Sequence, residues 1–171
     1  PSEIPVGVVM AIVGAPFFVM ERRKGIVIRE KIPERFQNQP ALYGRMSEMI
    51  VDALARLHLV DPNPVGLGDL GKPEGFVERQ IKGWLQRWHG AKTEDVPRFE
   101  KLHDWLLERL PVPQRVALLH NDYKLDNMMV DVEDPAKPIA IFDWDMCTLG
   151  DPLADLGALL GYWTEAGDSD A

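Results

Sequence analysis

Three apolar runs of a few residues each, Val116 to Leu119, Met128 to Val132 and Ile139 to Phe142, are separated by segments dense in Asp and Asn. Runs this short are built from Val, Ile, Leu and Met, and they read as small buried strands rather than helices. Their polar neighbours are His120-Asn121-Asp122-Tyr123-Lys124-Leu125-Asp126-Asn127, then Phe142-Asp143-Trp144-Asp145, then Gly150-Asp151-Pro152-Leu153-Ala154-Asp155. Loops at the ends of strands on a rigid scaffold are where functional groups are usually presented.

The rest of the chain is organised differently. Val6 to Val13 and Phe17 to Met20 read as two strands joined by the tight turn Gly14-Ala15-Pro16, and Ile26 to Ile28 as a third short strand. Pro40 opens a helix in which Leu42, Met46, Met49, Ile50, Ala53, Leu54 and Leu57 recur at helical spacing through His58. A second helix places Phe76, Val77, Ile81, Trp84, Leu85 and Trp88 on one face. A third, from about Arg98 to Leu110, is expected to bury Phe99, Leu102, Trp105 and Leu106 before Pro111 and Pro113 stop it. Trp84, Trp88 and Trp105 are thus expected in the core, and His58 as a packing or capping residue. Asp151 and Pro152 start a final helix as N-cap and first residue, carrying Leu153, Leu156, Leu159, Leu160 and Trp163.

Charge and composition close off several classes. The 171 residues carry a net charge of −8, whereas a face that neutralises nucleic-acid phosphates needs clustered Lys and Arg. The one dense basic cluster, Arg22-Arg23-Lys24, reads as a solvated turn. No apolar run reaches the roughly 18 residues of a membrane helix. Cys147 is the only cysteine and cannot form an internal disulfide, which fits a reducing cytoplasm. Gly66-Leu67-Gly68-Asp69-Leu70-Gly71 matches GxGxxG by letter, but such a phosphate cradle needs a strand before it and a helix after it. A long helix and Asp61-Pro62-Asn63-Pro64 precede these glycines, so they read as a helix-to-helix loop.

The residue types left at the strand ends suit one chemistry. Transfer of a γ-phosphoryl group from ATP needs a divalent metal on the phosphate oxygens and a carboxylate that orients the acceptor hydroxyl. Mg²⁺ takes hard oxygen ligands and keeps several waters, so one or two carboxylates and an amide oxygen suffice. Asp143 and Asn127 are of that type. Asp122, on the same loop as Asn127, can face the acceptor, and Lys124 adds a compact positive charge for the moving phosphoryl group. Asp126, Asp131 and Asp134 read as ordinary turn formers.

His120-x-Asp122-x-x-x-x-Asn127 followed by Asp143 resembles the signature of aminoglycoside phosphotransferase-like kinases, relatives of choline kinases and protein kinases. The strings HNDYKLDN, FDWD and TLGDPLADL look most like the branch related to the kinase-like domain fused to some acyl-CoA dehydrogenases. Gly14 to Glu21 is similar to that branch's strand entering the hinge, and Gly66 to Arg79 with Gln80 and Trp84 to its first helical insert. The resemblance implies an α+β, protein-kinase-like two-lobe fold. Residues 1–25 would be the remnant of the N-terminal ATP-binding lobe and hinge, and residues 26–171 the helical C-terminal lobe with the catalytic and metal-binding loops. It implies Asp122 as catalytic base with Lys124 in support, and Asn127 and Asp143 as Mg²⁺ ligands. Backbone groups at Met20, Glu21 and Arg22 would hold the adenine edge of ATP, and His120 and Asp155 would be structural supports. The usual HGD of the family is HND here, and Asn tolerates the left-handed backbone that such a loop uses. Lys124 stands where close relatives often carry Arg, keeping the charge without the fork geometry.

The leading expectation is therefore an ATP- and Mg²⁺-dependent kinase acting on a small-molecule hydroxyl. Its rivals are a pseudokinase that binds nucleotide without transfer and a two-metal hydrolase built from the same Asp cluster. The acidic balance suits a cationic acceptor such as an aminoglycoside, whereas the closer branch resemblance points to hydroxylated acyl-CoA or similar metabolites. No Gly-rich loop and no Lys–Glu pair stand ahead of Val6, so the chain reads as a fragment that is inactive alone. Measurable ATP turnover by the isolated 171 residues would contradict that expectation.

Overall fold

The computed structural model describes residues 23–29 and 31–162. The strands expected before Met20, the hinge residues Met20, Glu21 and Arg22, and Trp163 lie outside them. The elements run β1 (Ile26–Val27), a 3-10 turn (Glu34–Phe36), α1 (Pro40–His58), α2 (Phe76–Ala91), α3 (Pro97–Leu107) and β2 (Ala117–Leu119). A second 3-10 turn (Leu125–Asn127) then leads into β3 (Met128–Val130), β4 (Pro138–Ile141), β5 (Thr148–Gly150) and α4 (Leu153–Gly161). No helix among them is long and apolar enough to cross a membrane.

Helix α1 is the spine. Pro40 sits in its first turn, where a missing N–H leaves no hydrogen bond unmade. Leu42, Met46, Met49, Ile50, Leu54 and Leu57 form one buried stripe that meets Leu118, Tyr123, Met128, Val130 and Trp144 in the main core. Tyr123, fully buried, donates its hydroxyl to the Ile50 carbonyl at 2.8 Å and so ties the loop after β2 to the middle of α1.

The strands form two antiparallel sheets, one ordered β1-β3-β4 and the other pairing β2 with β5. In the hairpin β3–β4, Met128 lies opposite Ile141 and Met129 opposite Ala140. Pro138 takes the first position of β4, where a missing donor is tolerated. Asp131 accepts the N–H groups of Glu133 and Asp134, and Asp134 that of Ala136, so both shape this hairpin's turn, as their residue type suggests. In the second sheet Leu119 faces Thr148 and Ala117 faces Gly150. A Cβ at Gly150 would come within 2.8 Å of Leu119 and of the Phe76 ring, so the close approach of α2 to β5 requires glycine. Strand β5 is absent from the sequence reading, since Thr-Leu-Gly has strand form only through its pairing with β2. Asp151 accepts the Leu153 N–H at 2.9 Å at the start of α4, the expected capping contact, although the helix begins one residue later than expected.

The paired helices α2 and α3 correct the expectation of burial. They hold each other by stacking Trp88 on Phe99, with ring centroids 4.7 Å apart. Phe76 is the only residue of α2 that is buried, and α3 buries none. Trp84, Trp105 and Leu102 are 59%, 52% and 51% exposed, so the two tryptophans are not core residues. Arg87 lies over Trp84 and Arg109 over Trp105, each 4.8 Å from the ring centroid, which shields part of both rings. Helical periodicity identifies an apolar face, but a narrow two-helix seam covers only part of it. The third helix also stops at Leu107 rather than Leu110.

Leu119 is fully buried, and Leu119→Ala is expected to cost about 2–5 kcal/mol in chemical denaturation. Trp105→Ala should stay within about 0.5 kcal/mol of the parent, as exposed substitutions do.

Candidate active site

Strand pairing brings the polar loops together. The hairpin puts Asn127, just before β3, beside Phe142, just after β4, and Phe142 N–H donates to the Asn127 carbonyl at 3.0 Å. Asn127 and Asp143 therefore leave the hairpin at the same end. The second sheet brings the residue after β2, His120, near the loop that leads into β5, where Asn121 Nδ2 donates to the Met146 carbonyl at 2.8 Å.

His120 has no exposed surface, and backbone groups hold its ring. Asp122 N–H donates to Nδ1 at 3.3 Å, which leaves the Nε2–H to donate to the Phe142 carbonyl at 3.0 Å. The ring packs on Trp144, centroids 4.7 Å apart, and Trp144 Nε1 donates to the Ile141 carbonyl at 2.9 Å. Below it, Asp155 is completely buried and accepts three donors. These are His120 N–H at 2.9 Å, Asn121 N–H at 2.7 Å, and His58 Nε2 at 2.9 Å. His58 is thus more specific than a generic packing residue, because it pairs with Asp155 from the end of α1. Asn121 has φ 63°, the left-handed position that Asn tolerates.

Asp122 is half-buried at the mouth of this frame. Asn127 Nδ2 donates to its Oδ2 at 2.8 Å and to its carbonyl at 2.9 Å, and Lys124 Nζ donates to Oδ1 at 2.9 Å. Burial alone would raise the Asp122 carboxyl. The hydrogen bonds from Lys124 and Asn127, the Lys124 charge and a hydrogen bond from Tyr162 outweigh it and hold the group below the ordinary carboxylate range. Lys124 is pushed up, chiefly by its bond to Asp122.

Asp143, with φ 69°, lies exposed on the opposite loop. Asp145 beside it drives its carboxyl above the ordinary range, first through a shared hydrogen bond and then, after partial desolvation, through like charge, with Asp122 adding to the repulsion. Acidic oxygens held this close favour a cation among them. Asn127 commits its amide nitrogen to Asp122, which leaves its Oδ1 for a cation. Among the described residues no three His, Cys, Asp or Glu side chains gather into a ready cage. A cation here would draw part of its coordination from outside the protein, an arrangement that suits Mg²⁺.

The structure thus brings His120, Asp122, Lys124, Asn127 and Asp155 into one bonded network with Asp143 facing it. Met20, Glu21 and Arg22 lie outside the described residues. Sequence reasoning gave no role to Asp145, although its place two residues after Asp143 was a usable signal. It also passed over Tyr123, which ties the loop to Ile50 on α1, and Tyr162, which reaches Asp122 from the end of α4, contacts that no spacing reveals. The glycines of Gly66 to Gly71 lie in the loop after α1 with no strand before them, so the phosphate-cradle reading stays rejected.

A model of the phosphotransferase enzyme family matches residues 4–171. The chain belongs to that family. It is 34% identical over 156 residues to mouse acyl-CoA dehydrogenase family member 10, covering 90% of this chain and 14% of that protein. It is 32% identical over 157 residues to rat acyl-CoA dehydrogenase family member 11, of which it spans 20%. The chain therefore matches about a fifth or less of these curated relatives. A solved structure from Ralstonia eutropha JMP134, provisionally described as an aminoglycoside phosphotransferase, superposes with a TM-score of 0.71 at 34% identity. That match covers 81% of this chain and 42% of the other. A macrolide 2'-phosphotransferase type I shares the fold at TM-score 0.52 and 20% identity, over 67% of this chain and 37% of its own. The chain accordingly has the α+β kinase-like fold that the motif implied.

The Asp122–Lys124 pair has a defined pH signature. A depressed Asp122 contributes stability above the ordinary carboxylate range, and that is lost as pH falls through its lowered value. A raised Lys124 contributes below the ordinary lysine range, and that is lost as pH rises through its raised value. In Lys124→Met, NMR titration of the Asp122 carboxyl should show its midpoint moving up. An unmoved midpoint would show that the pair does not set it.

Proposed function

We propose that this phosphotransferase uses ATP and Mg²⁺ to phosphorylate a hydroxyl of a small molecule. The observation that carries the reading is the Asp122 carboxylate. It is kept ionised by Lys124 and Asn127 at the mouth of a rigid loop, facing Asp143 and Asp145 across the hairpin end. Asp122 is the base: its carboxylate takes the proton of the acceptor hydroxyl as the acceptor oxygen bonds to the γ-phosphorus, the bond from the γ-phosphorus to the bridging β-phosphate oxygen breaks and ADP leaves. Lys124 offers positive charge to the moving phosphoryl group. Asn127 and Asp143 are the metal ligands, with Asp145 as a further carboxylate beside them. When bound, the cation would neutralise phosphate oxygens. His120 and Asp155 position the loop and touch no reactant.

Further assignments rest on the resemblance alone. Residues 1–25 belong to the smaller ATP-binding lobe and hinge, 26–171 form the helical lobe, and the backbone at Met20, Glu21 and Arg22 holds adenine. The lone Cys147 suits the cytoplasm. The relatives named for acyl-CoA dehydrogenation make hydroxylated acyl-CoA or a similar metabolite the first acceptor class to test, ahead of aminoglycosides.

The test is Asp122→Asn in the full-length protein, with ADP release measured against a panel of hydroxylated acyl-CoA esters, other hydroxyl metabolites and aminoglycosides. A base of this kind contributes roughly 10²–10⁴-fold, so turnover should fall by that factor. Unchanged product formation would sink the assignment.

A further inference from the structure

The carboxylate oxygens of Asp122 are not equally held. Oδ2 takes the amide of buried Asn127 at 2.8 Å. Oδ1 takes two donors, the Lys124 ammonium at 2.9 Å and the hydroxyl of Tyr162 at 3.3 Å. Tyr162 comes from the C-terminal end of α4, forty positions along the chain from Asp122. Lys124 Nζ lies over the Tyr162 ring, 5.0 Å from its centroid, so the ring and the ammonium together flank Oδ1.

These donors differ in strength. Lys124 makes a charge-assisted bond, and such bonds are roughly twice as strong as neutral ones. Asn127 is buried and bonds Asp122 twice. Tyr162 is neutral, 58% exposed and makes the longest of the bonds, so it is the easiest to exchange with an incoming group. It is also the only O–H among them. An acceptor hydroxyl has to present an O–H to this same carboxylate, because only that contact hands over its proton in the transition state.

We infer that Tyr162 is the resting occupant of the acceptor-hydroxyl position on Asp122, that the acceptor displaces its phenol from Oδ1, and that its ring then remains as a wall of the acceptor subsite. The inference rests on the reading of Asp122 as base and adds the residue that marks where the acceptor docks. It carries a functional consequence. Water is the competing acceptor for a γ-phosphoryl group, and a phenol on Oδ1 keeps water from being oriented by Asp122 while the site waits for substrate. Turning the phenol off Oδ1 gives up one weak hydrogen bond and leaves the Lys124 and Asn127 bonds to Asp122 intact.

The experiment uses the full-length protein with MgATP and no acceptor, and reads ADP release. Tyr162→Phe keeps the ring and removes the hydroxyl, so acceptor-free hydrolysis should rise several-fold. Tyr162→Leu, checked for an unchanged melting temperature, should rise likewise. Combining Tyr162→Phe with Asp122→Asn should return hydrolysis to the wild-type level or below. A Tyr162→Phe rate equal to or lower than wild type, including none detectable in either, overturns the inference. If the acceptor panel still shows dependence on Asp122, the base assignment survives that result. A rise that persists in the double variant overturns the inference, because the hydroxyl would then be guarding something other than Asp122, and the base assignment stands or falls with the acceptor panel.

Discussion

The site depends on one buried carboxylate. Asp155 has no exposure, and an ionised carboxylate removed from water is tolerated only when its oxygens are taken up by donors. Two of its three partners are the consecutive N–H groups of His120 and Asn121, and the third is His58 at the end of α1. One side chain on α4 therefore joins the spine helix, the strand β2 and the loop that carries Asp122. The same bonds hold Asn121 in a left-handed conformation that a free chain rarely adopts. Removing the carboxylate would leave buried donors unmet at the point where the loop turns.

Around that anchor the geometry follows from strand pairing. The register of β3 against β4 sets Asn127 beside Phe142 and so brings Asp143 to the same end of the hairpin. Pairing of β2 with β5 closes the other side and brings Met146 to Asn121. Two non-glycine residues with positive φ, Asn121 and Asp143, stand on the two loops that face each other. Strained backbone of this kind persists where surrounding structure over-determines it, and it gathers at working sites. The acidic pair Asp143 and Asp145 adds a second tension, like charge held close, that a cation relieves.

Helices α2 and α3 are organised by a weaker rule. Their apolar faces meet along the Trp88–Phe99 stack and border a cavity of about 330 Å³ lined by Phe76, Ile81, Trp84, Phe99 and Leu102. The contrast with α1 is instructive. Both show apolar residues at helical spacing, yet the α1 stripe is buried because two sheets and a loop lie against it. A hydrophobic face states that something could cover it, and only the arrangement of the other elements decides how much of it is covered.

Much of this protein was legible in the chain. Local physics settled α1 from Pro40 to His58, the existence of α2, α3 and α4, four of the five short strands among the described residues, and the turn-forming Asp131 and Asp134. The HxDxxxxN and later Asp pattern identified the family and named the residues that come together. These are short-range or motif-level properties, carried by periodicity, capping and residue type within a few positions. What tertiary structure alone decided involves partners far apart in sequence. It paired His58 with Asp155, gave Thr148–Gly150 its strand form through β2, left Trp84 and Trp105 exposed, and brought Tyr162 onto Asp122. No spacing rule encodes those contacts, because each depends on where the chain returns after it has folded.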